Sequence, residues 1–175
     1  MTIHARLFNR EKALEAVLFI AEQLPRPTMH SIAKMLYLSD KLHLEEYGRM
    51  ICGDRYIAME YGPVPSAIYD MMKVPAGRAS IDPDVDDLVM EAFDIAHGRD
   101  VVPKRAADVS LLSESEIECI RETIQEHGRK SFGTLTDLTH DSAWQETDEN
   151  QIIALSAIVR TLPNADELAS YLEAH

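Results

Sequence analysis

Two prolines one residue apart, in Gly62-Pro63-Val64-Pro65, limit this chain more than any other short stretch. Each fixes its own φ and lacks an N–H, and Pro63 biases Gly62 away from helix. A helix cannot cross these four residues. One can open at Pro65, where the missing N–H has no helical partner to lose. The turn lies within Leu36–Met72, which holds five of the six tyrosines: Tyr37, Tyr47, Tyr56, Tyr61 and Tyr69. That stretch reads as a helix, a short extended excursion and a second helix starting at the prolines. Gly53-Asp54 is a turn signal, and Tyr56, Ile57, Met59 and Tyr61 suit a strand. A small β-hairpin or extended segment is therefore expected near residues 50–61.

Helical patterning dominates the rest. Asn9 caps a helix over about Arg10 to Gln23, with Leu14, Val17, Leu18 and Ala21 on one face. Glu11, Lys12, Glu15 and Glu22 fall largely away from that face, and Pro25 and Pro27 end the helix. Thr28 caps a second helix to about Tyr47, with Ile32, Met35, Leu36, Ser39 and Leu42 as its buried stripe and Gly48 as a left-handed terminator. The helix opened by Pro65 carries Ala67, Ile68, Met71 and Met72. Val74 to Pro83 is loop-like, Asp84 to Ala96 helical, and Val101, Val102 and Val109 point to a short strand near 100–109. Ser113 and Glu116 have capping-box spacing ahead of Ile117, Ile120 and Ile124. A short helix opens at Ser131 or Phe132 with Leu135 and Leu138 inward; Ser156 caps another, and Asn164 with Glu167 repeats the box before a last helix. The expected fold is mainly α: one compact multi-helix domain over 1–175, with a core of about 11–145 and a helical extension over 150–174.

At 175 residues the chain can bury a core without staples. Its 30 acidic against 17 basic residues give a net charge of −13, which disfavours nucleic-acid binding by phosphate neutralisation and suits a basic protein partner. Cys52 and Cys119 lack CxxC spacing, so two reduced thiols are expected, not a disulfide framework or zinc finger. No apolar leader and no run of roughly 18 apolar residues occurs, so no membrane association and a cytoplasmic location are expected.

Catalytic patterns are thin. Asp40 and His43 are three residues apart on one helix, and His140 with Asp141 offers a second pair, but no HExxH is present. A polar pair on the helix surface is the competing reading for Asp40 and His43, and a capped turn for His140 and Asp141. No serine or cysteine sits in a GxSxG elbow, and no phosphate-binding glycine loop occurs. The hairpin of the first two helices resembles a helix-turn-helix in outline, but Asp40, Glu45 and Glu46 spoil its recognition face. No residue is assigned to catalysis, to a metal or to a cofactor. The tyrosines admit two readings, a core layer or a binding surface displayed on a stiff turn.

Several segments resemble the SocA-like antitoxin family, also called the Panacea domain. They are Lys41-Leu-His-Leu-Glu-Glu-Tyr-Gly48, Gly53-Asp-Arg-Tyr-Ile-Ala58, Tyr61-Gly-Pro-Val-Pro-Ser-Ala-Ile-Tyr-Asp70, Leu112-Ser-Glu-Ser-Glu116 and Leu138-Thr-His-Asp-Ser-Ala-Trp144. The resemblance covers roughly Glu11 to Gln145. It implies a mainly helical domain acting as the antitoxin of a two-gene pair, some relatives being phage or prophage encoded. Such domains neutralise toxins of several kinds, many of them translation-blocking, and one branch is a proteolytic adaptor delivering its toxin to ClpXP. Many relatives add an N-terminal DNA-binding domain that regulates their own operon; this chain starts close to the shared segment, which leaves repression of its own operon an open question. Asp54, Tyr56, Tyr61, Pro63, Val64, Pro65, Tyr69 and Asp70 match one family signature and are the expected partner-binding residues. His140, Asp141 and Trp144 match the other and are the expected structural signature. A metal-assisted enzyme using Asp40, His43, His140 and Asp141 is the remaining alternative.

Overall fold

A computed structural model describes residues 7–175. The expected lack of a leader rests partly on Met1–Arg6, which lie outside the described residues. Nine α-helices are present among the described residues: α1 Arg10–Gln23, α2 Met29–Tyr47, α3 Ser66–Lys73, α4 Pro83–Ala92, α5 Glu114–His127, α6 Phe132–Thr139, α7 Ser142–Gln145, α8 Leu155–Arg160 and α9 Ala165–Ala174. Two antiparallel hairpins accompany them, β1 Tyr56–Met59 with β2 Gly62–Pro65, and β3 Phe93–Ala96 with β4 Asp100–Pro103. The fold is mainly helical and compact, with small hairpins.

Helix ends follow side-chain chemistry. Asn9 Oδ1 accepts the Lys12 N–H at 3.0 Å. Thr28 forms a reciprocal cap with Ser31, and Ser113 one with Glu116. Gly48 ends α2 at φ +70°, a left-handed conformation costly for other residues. At α9 the expected box does not form. Asn164 Nδ2 instead donates to the carbonyl of Glu45 at 2.9 Å, fastening the last helix to the end of α2. Ser156 lies inside the first turn of α8, whose cap residue is Ala154.

Helix α2 runs through the middle, against α5, α6 and β2, and separates two apolar clusters. The larger joins α1, α3, α4 and α5; the smaller gathers Tyr37, Leu44, Tyr56, Ala58, Ala143 and Ile153 with α8 and α9. A single buried stripe therefore does not describe α2. Leu42 is only half-buried, while Lys34, Tyr37, Asp40 and His43 are all buried. Glu15 is likewise buried on α1 instead of facing solvent, its carboxylate chelated by Arg105 at 2.6 and 3.0 Å and accepting the Asp108 N–H at 2.7 Å.

The second hairpin corrects two expectations. The helix expected to reach Ala96 stops at Ala92, and Phe93–Ala96 turns into a strand that pairs with Asp100–Pro103. Val109 lies in a 3-10 turn, not in that strand. In α6, Leu135, Thr136 and Thr139 face inward, whereas Leu138 lies off that face and is 39% exposed.

Glu116 ties three elements together. Its fully buried carboxylate meets Lys12 Nζ at 2.8 Å and the Arg49 guanidinium, and accepts the Ser113 N–H at 2.8 Å. Burial opposes its ionisation, but these donors outweigh burial and leave the carboxyl below its ordinary range. Glu116→Ala strands two partly buried cations and removes half of a capping box. An expected loss of about 3 kcal/mol, read by urea unfolding, follows from breaking a buried pair from one side. A change under about 1 kcal/mol would mean that the network is incidental to stability.

Candidate functional site

The first hairpin carries most of the expected binding residues, and its register explains how two prolines fit a strand. Ile57 pairs with Val64 and Met59 with Gly62, while Pro65 lies opposite Tyr56 and Pro63 opposite Ala58. Tyr56 and Ala58 turn their main-chain groups the other way, toward residues 150–153. The Ala58 N–H donates to Gln151 O at 2.9 Å, and Tyr56 O accepts the Ile153 N–H at 2.8 Å. Both prolines therefore sit at positions that ask for no N–H from β2. The double-proline segment is itself the second strand, and the hairpin turn is at Glu60 and Tyr61, not at Gly53-Asp54.

Beneath β2 lies Lys34, 1% exposed, whose Nζ donates to Pro63 O at 2.8 Å. No carboxylate among the described residues pairs with it, and burial alone lowers its pKa to about 7. Gly62, at φ +105°, lies so close that a Cβ would stand 2.7 Å from Thr139 Oγ1 and 3.0 Å from Lys34 Cε. Strand β2 is thus clamped between α2 and α6, and only glycine fits at its start.

Asp54 and Tyr56 serve the interior. Asp54 Oδ2 accepts the Ile68 N–H at 2.8 Å and Oδ1 the Ala67 N–H at 3.1 Å, so a side chain from before the hairpin caps α3, whose own cap residue is Pro65. Burial raises its carboxyl pKa against the pull of those N–H donors. The Tyr56 hydroxyl donates to Asp40 Oδ2 at 2.6 Å, its ring meets Tyr37 edge-on at 5.0 Å, and only 1% of it is exposed. Pro63, Val64 and Pro65 are buried as well. Three expected contact residues reach solvent. Tyr61 is 51% exposed, Asp70 is exposed and pairs with Lys73 at 2.9 Å, and half-buried Tyr69 lies under the Lys73 ammonium at 5.0 Å. Of the remaining clustered tyrosines, Tyr37 is fully buried and Tyr47 exposed.

The second signature packs onto the hairpin turn. Trp144 Nε1 donates to Met59 O at 2.8 Å, and His140 Nε2 donates to Glu60 O at 3.2 Å. The two rings stack at 3.6 Å and 7°. Asp141 caps α7 by accepting the Trp144 N–H at 3.1 Å, while its other oxygen takes the Tyr37 hydroxyl at 2.8 Å and Lys41 Nζ at 2.9 Å. Asp40 accepts from Ile51 N and Tyr56, and His43 bonds Arg49 O and Ser115 Oγ. Asp40, His43, His140 and Asp141 are thus spent on separate hydrogen bonds, and Asp40 and His43 are interior, not the surface pair first read. No group of three His, Cys, Asp or Glu residues suited to a metal occurs among the described residues.

Two residues beside Tyr61, Phe132 and His30, were given no part in the site by the sequence. Phe132 is 52% exposed and meets the Tyr61 ring edge-on at 5.2 Å; His30 stacks on Phe132 at 3.9 Å and bonds Thr136 Oγ1 at 3.2 Å. Burial and then Lys34 lower the His30 pKa to about 4, so its ring is neutral. Phe132 shares a helix face with Leu135, and only the end of the packing separates an exposed ring from a buried side chain.

These contacts unite both signatures around one hairpin. The family model described as antitoxin SocA-like, Panacea domain, matches residues 32–145, which hold most of α2, both hairpins and α7. The chain belongs to the SocA-like antitoxin family. No curated protein and no solved structure matches it. Within the matched span of this Panacea domain, Trp144 and His140 hold the hairpin at Met59 O and Glu60 O, and Asp141 holds Tyr37 and Lys41 of α2. No helix among the described residues is long and apolar enough to cross a membrane.

Lys34 yields a pH test. Its amine titrates near 7 when folded and near 10.5 when unfolded. Below pH 7 both states carry the charge and the burial penalty is full; between 7 and 10.5 the unfolded chain binds the extra proton, so stability rises with pH. Lys34→Met removes the dependence. Its stability advantage over the parent should be largest at or below pH 7 and shrink by several kcal/mol toward pH 10.5, read by urea melts across that range. A difference independent of pH would place the ammonium in solvent.

Proposed function

We propose that this protein is a non-enzymatic antitoxin that neutralises a cognate toxin by direct binding, with the turn of the first hairpin at the centre of the contact. Family membership carries the antitoxin role. The carrying observation for the site is Tyr61: it is half exposed, its backbone is held by a glycine-and-proline strand clamped on Lys34, and Phe132 and His30 extend its aromatic surface. A rigid, preordered aromatic group loses little entropy on binding, which is what an interface anchor needs. Asp54, Tyr56, Pro63, Val64 and Pro65 then act by holding Tyr61 in place. Tyr69 and Asp70 form the outer part of the same contact, and His140, Asp141 and Trp144 brace the turn. Residues 150–174 belong to the same domain on this reading, since 150–153 line the outer edge of β1. The toxin is a basic, translation-blocking protein of the cytoplasm, in keeping with the chain's negative charge.

Delivery of the toxin to ClpXP is the second reading, favoured only by family membership. Toxin half-life separates the two: simple neutralisation predicts a stable stoichiometric complex with unchanged half-life.

Co-expression with the protein encoded beside it tests the proposal. That protein should arrest growth alone and not with its partner; a harmless neighbour, or one equally toxic beside this chain, ends the antitoxin reading. Tyr61→Ala should weaken binding at least tenfold, about 1.4 kcal/mol, while leaving the unfolding transition cooperative and nearly unmoved. Full rescue by Tyr61→Ala would move the interface elsewhere.

A further inference from the structure

A cleft of about 250 Å³ opens beside the hairpin turn, lined by Ala58, Glu60, Trp144, Gln145, Thr147 and Glu149. Its aromatic wall is tied to the hairpin. The Trp144 indole is fixed by its bond to Met59 O, one face is covered by His140, and the half-buried side chain both packs against the smaller apolar cluster and lines the cleft. Glu60 and Glu149 stand exposed at the rim, and neither joins an ion pair among the described residues.

The polar groups lining the cleft are mostly turned into acceptors. Thr147 donates its hydroxyl to Ala143 O at 2.8 Å, which leaves only lone pairs. Gln145 Nε2 spends one of its two N–H groups on His140 O at 2.7 Å, and its Oε1 is free to accept. Ala58 has both main-chain groups engaged by residues 150 and 151. What remains is a flat indole, two unneutralised carboxylates and further acceptors. That combination calls for a planar cation rich in N–H donors. A guanidinium stacks on an indole, bonds carboxylates through paired N–H groups and sheds water more readily than an ammonium.

We infer that this cleft takes the guanidinium of an arginine side chain presented by the toxin. The inference rests on the antitoxin reading and gives the hairpin site two halves: Tyr61 on the α6 side of the turn, and an arginine socket on the Trp144 side.

Trp144 is the single tryptophan of the chain, so its indole N–H gives one resolved NMR signal. Titrating the full chain with N-acetyl-arginine amide should shift that signal saturably, with a dissociation constant on the order of millimolar. N-acetyl-lysine amide should bind several-fold more weakly, and N-acetyl-glutamine amide should not saturate. The double variant Glu60→Gln/Glu149→Gln, whose fold is checked by its melting temperature, should weaken the arginine response at least fivefold. An equal response to the glutamine or lysine probe, or an unchanged one in a folded double variant, overturns the proposal. Because these arms need no toxin, they decide the socket separately from the antitoxin role. In the complex, the same variant should lower toxin affinity about tenfold or more and flatten its salt dependence; unchanged affinity with an otherwise functional toxin pair overturns the socket and leaves the antitoxin role standing.

Discussion

The buried carboxylate of Asp40 is the fastening on which the hairpin depends. It sits 3% exposed on the central helix and accepts both the Ile51 N–H at 2.7 Å and the Tyr56 hydroxyl at 2.6 Å. Burial raises its pKa to about 6 even with both donors in place. A carboxylate in that setting is tolerable only while its partners stay put, so its geometry fixes where the chain leaves α2 and where β1 begins. Lys34 and Tyr37 repeat the arrangement along the same helix, one holding Pro63 O and the other Asp141. Three polar side chains, at spacings that share the helix side, thereby hold Pro63, Asp141 and Tyr56 to α2. The apolar clusters on either side supply the bulk of the driving force, and these bonds select one arrangement of it.

Rigidity at the turn follows from that fastening. Strand β2 cannot slide, because Gly62 has no room for a side chain against Thr139 and Lys34. Strand β1 is paired on both edges, by β2 and by residues 150–153. The turn between them is braced at its two carbonyls by Trp144 and His140. What the molecule presents there is a preformed surface, with an aromatic side around Tyr61 and Phe132 and an acidic side around Glu60 and Glu149.

Local chemistry was legible in the sequence where its cause is local. Asn9, Thr28, Gly48 and Ser113 mark helix ends because a cap needs only a side chain and the next few N–H groups. The doubled proline correctly forbade a helix across 62–65, yet strand status there depends on which edge of β1 faces it, and residues 150–153 decide that. Burial of Glu15, Asp40 and His43 could not be read at all, since their partners Arg105, Tyr56 and Ser115 lie 16 to 90 positions away. Asn164 shows the same limit: its spacing to Glu167 fits a capping box, but a carbonyl on α2 takes its amide. The exposed tyrosine could be told from the buried ones only once the hairpin register was known.

Hydrogen exchange of the protein with and without the proposed toxin tests the central claim most directly. Residues 59–62 and 131–139 should exchange markedly more slowly in the complex, with little change over α4 and the second hairpin. A bound toxin that leaves exchange at the first hairpin and α6 unaltered, while protecting another face, would contradict the account.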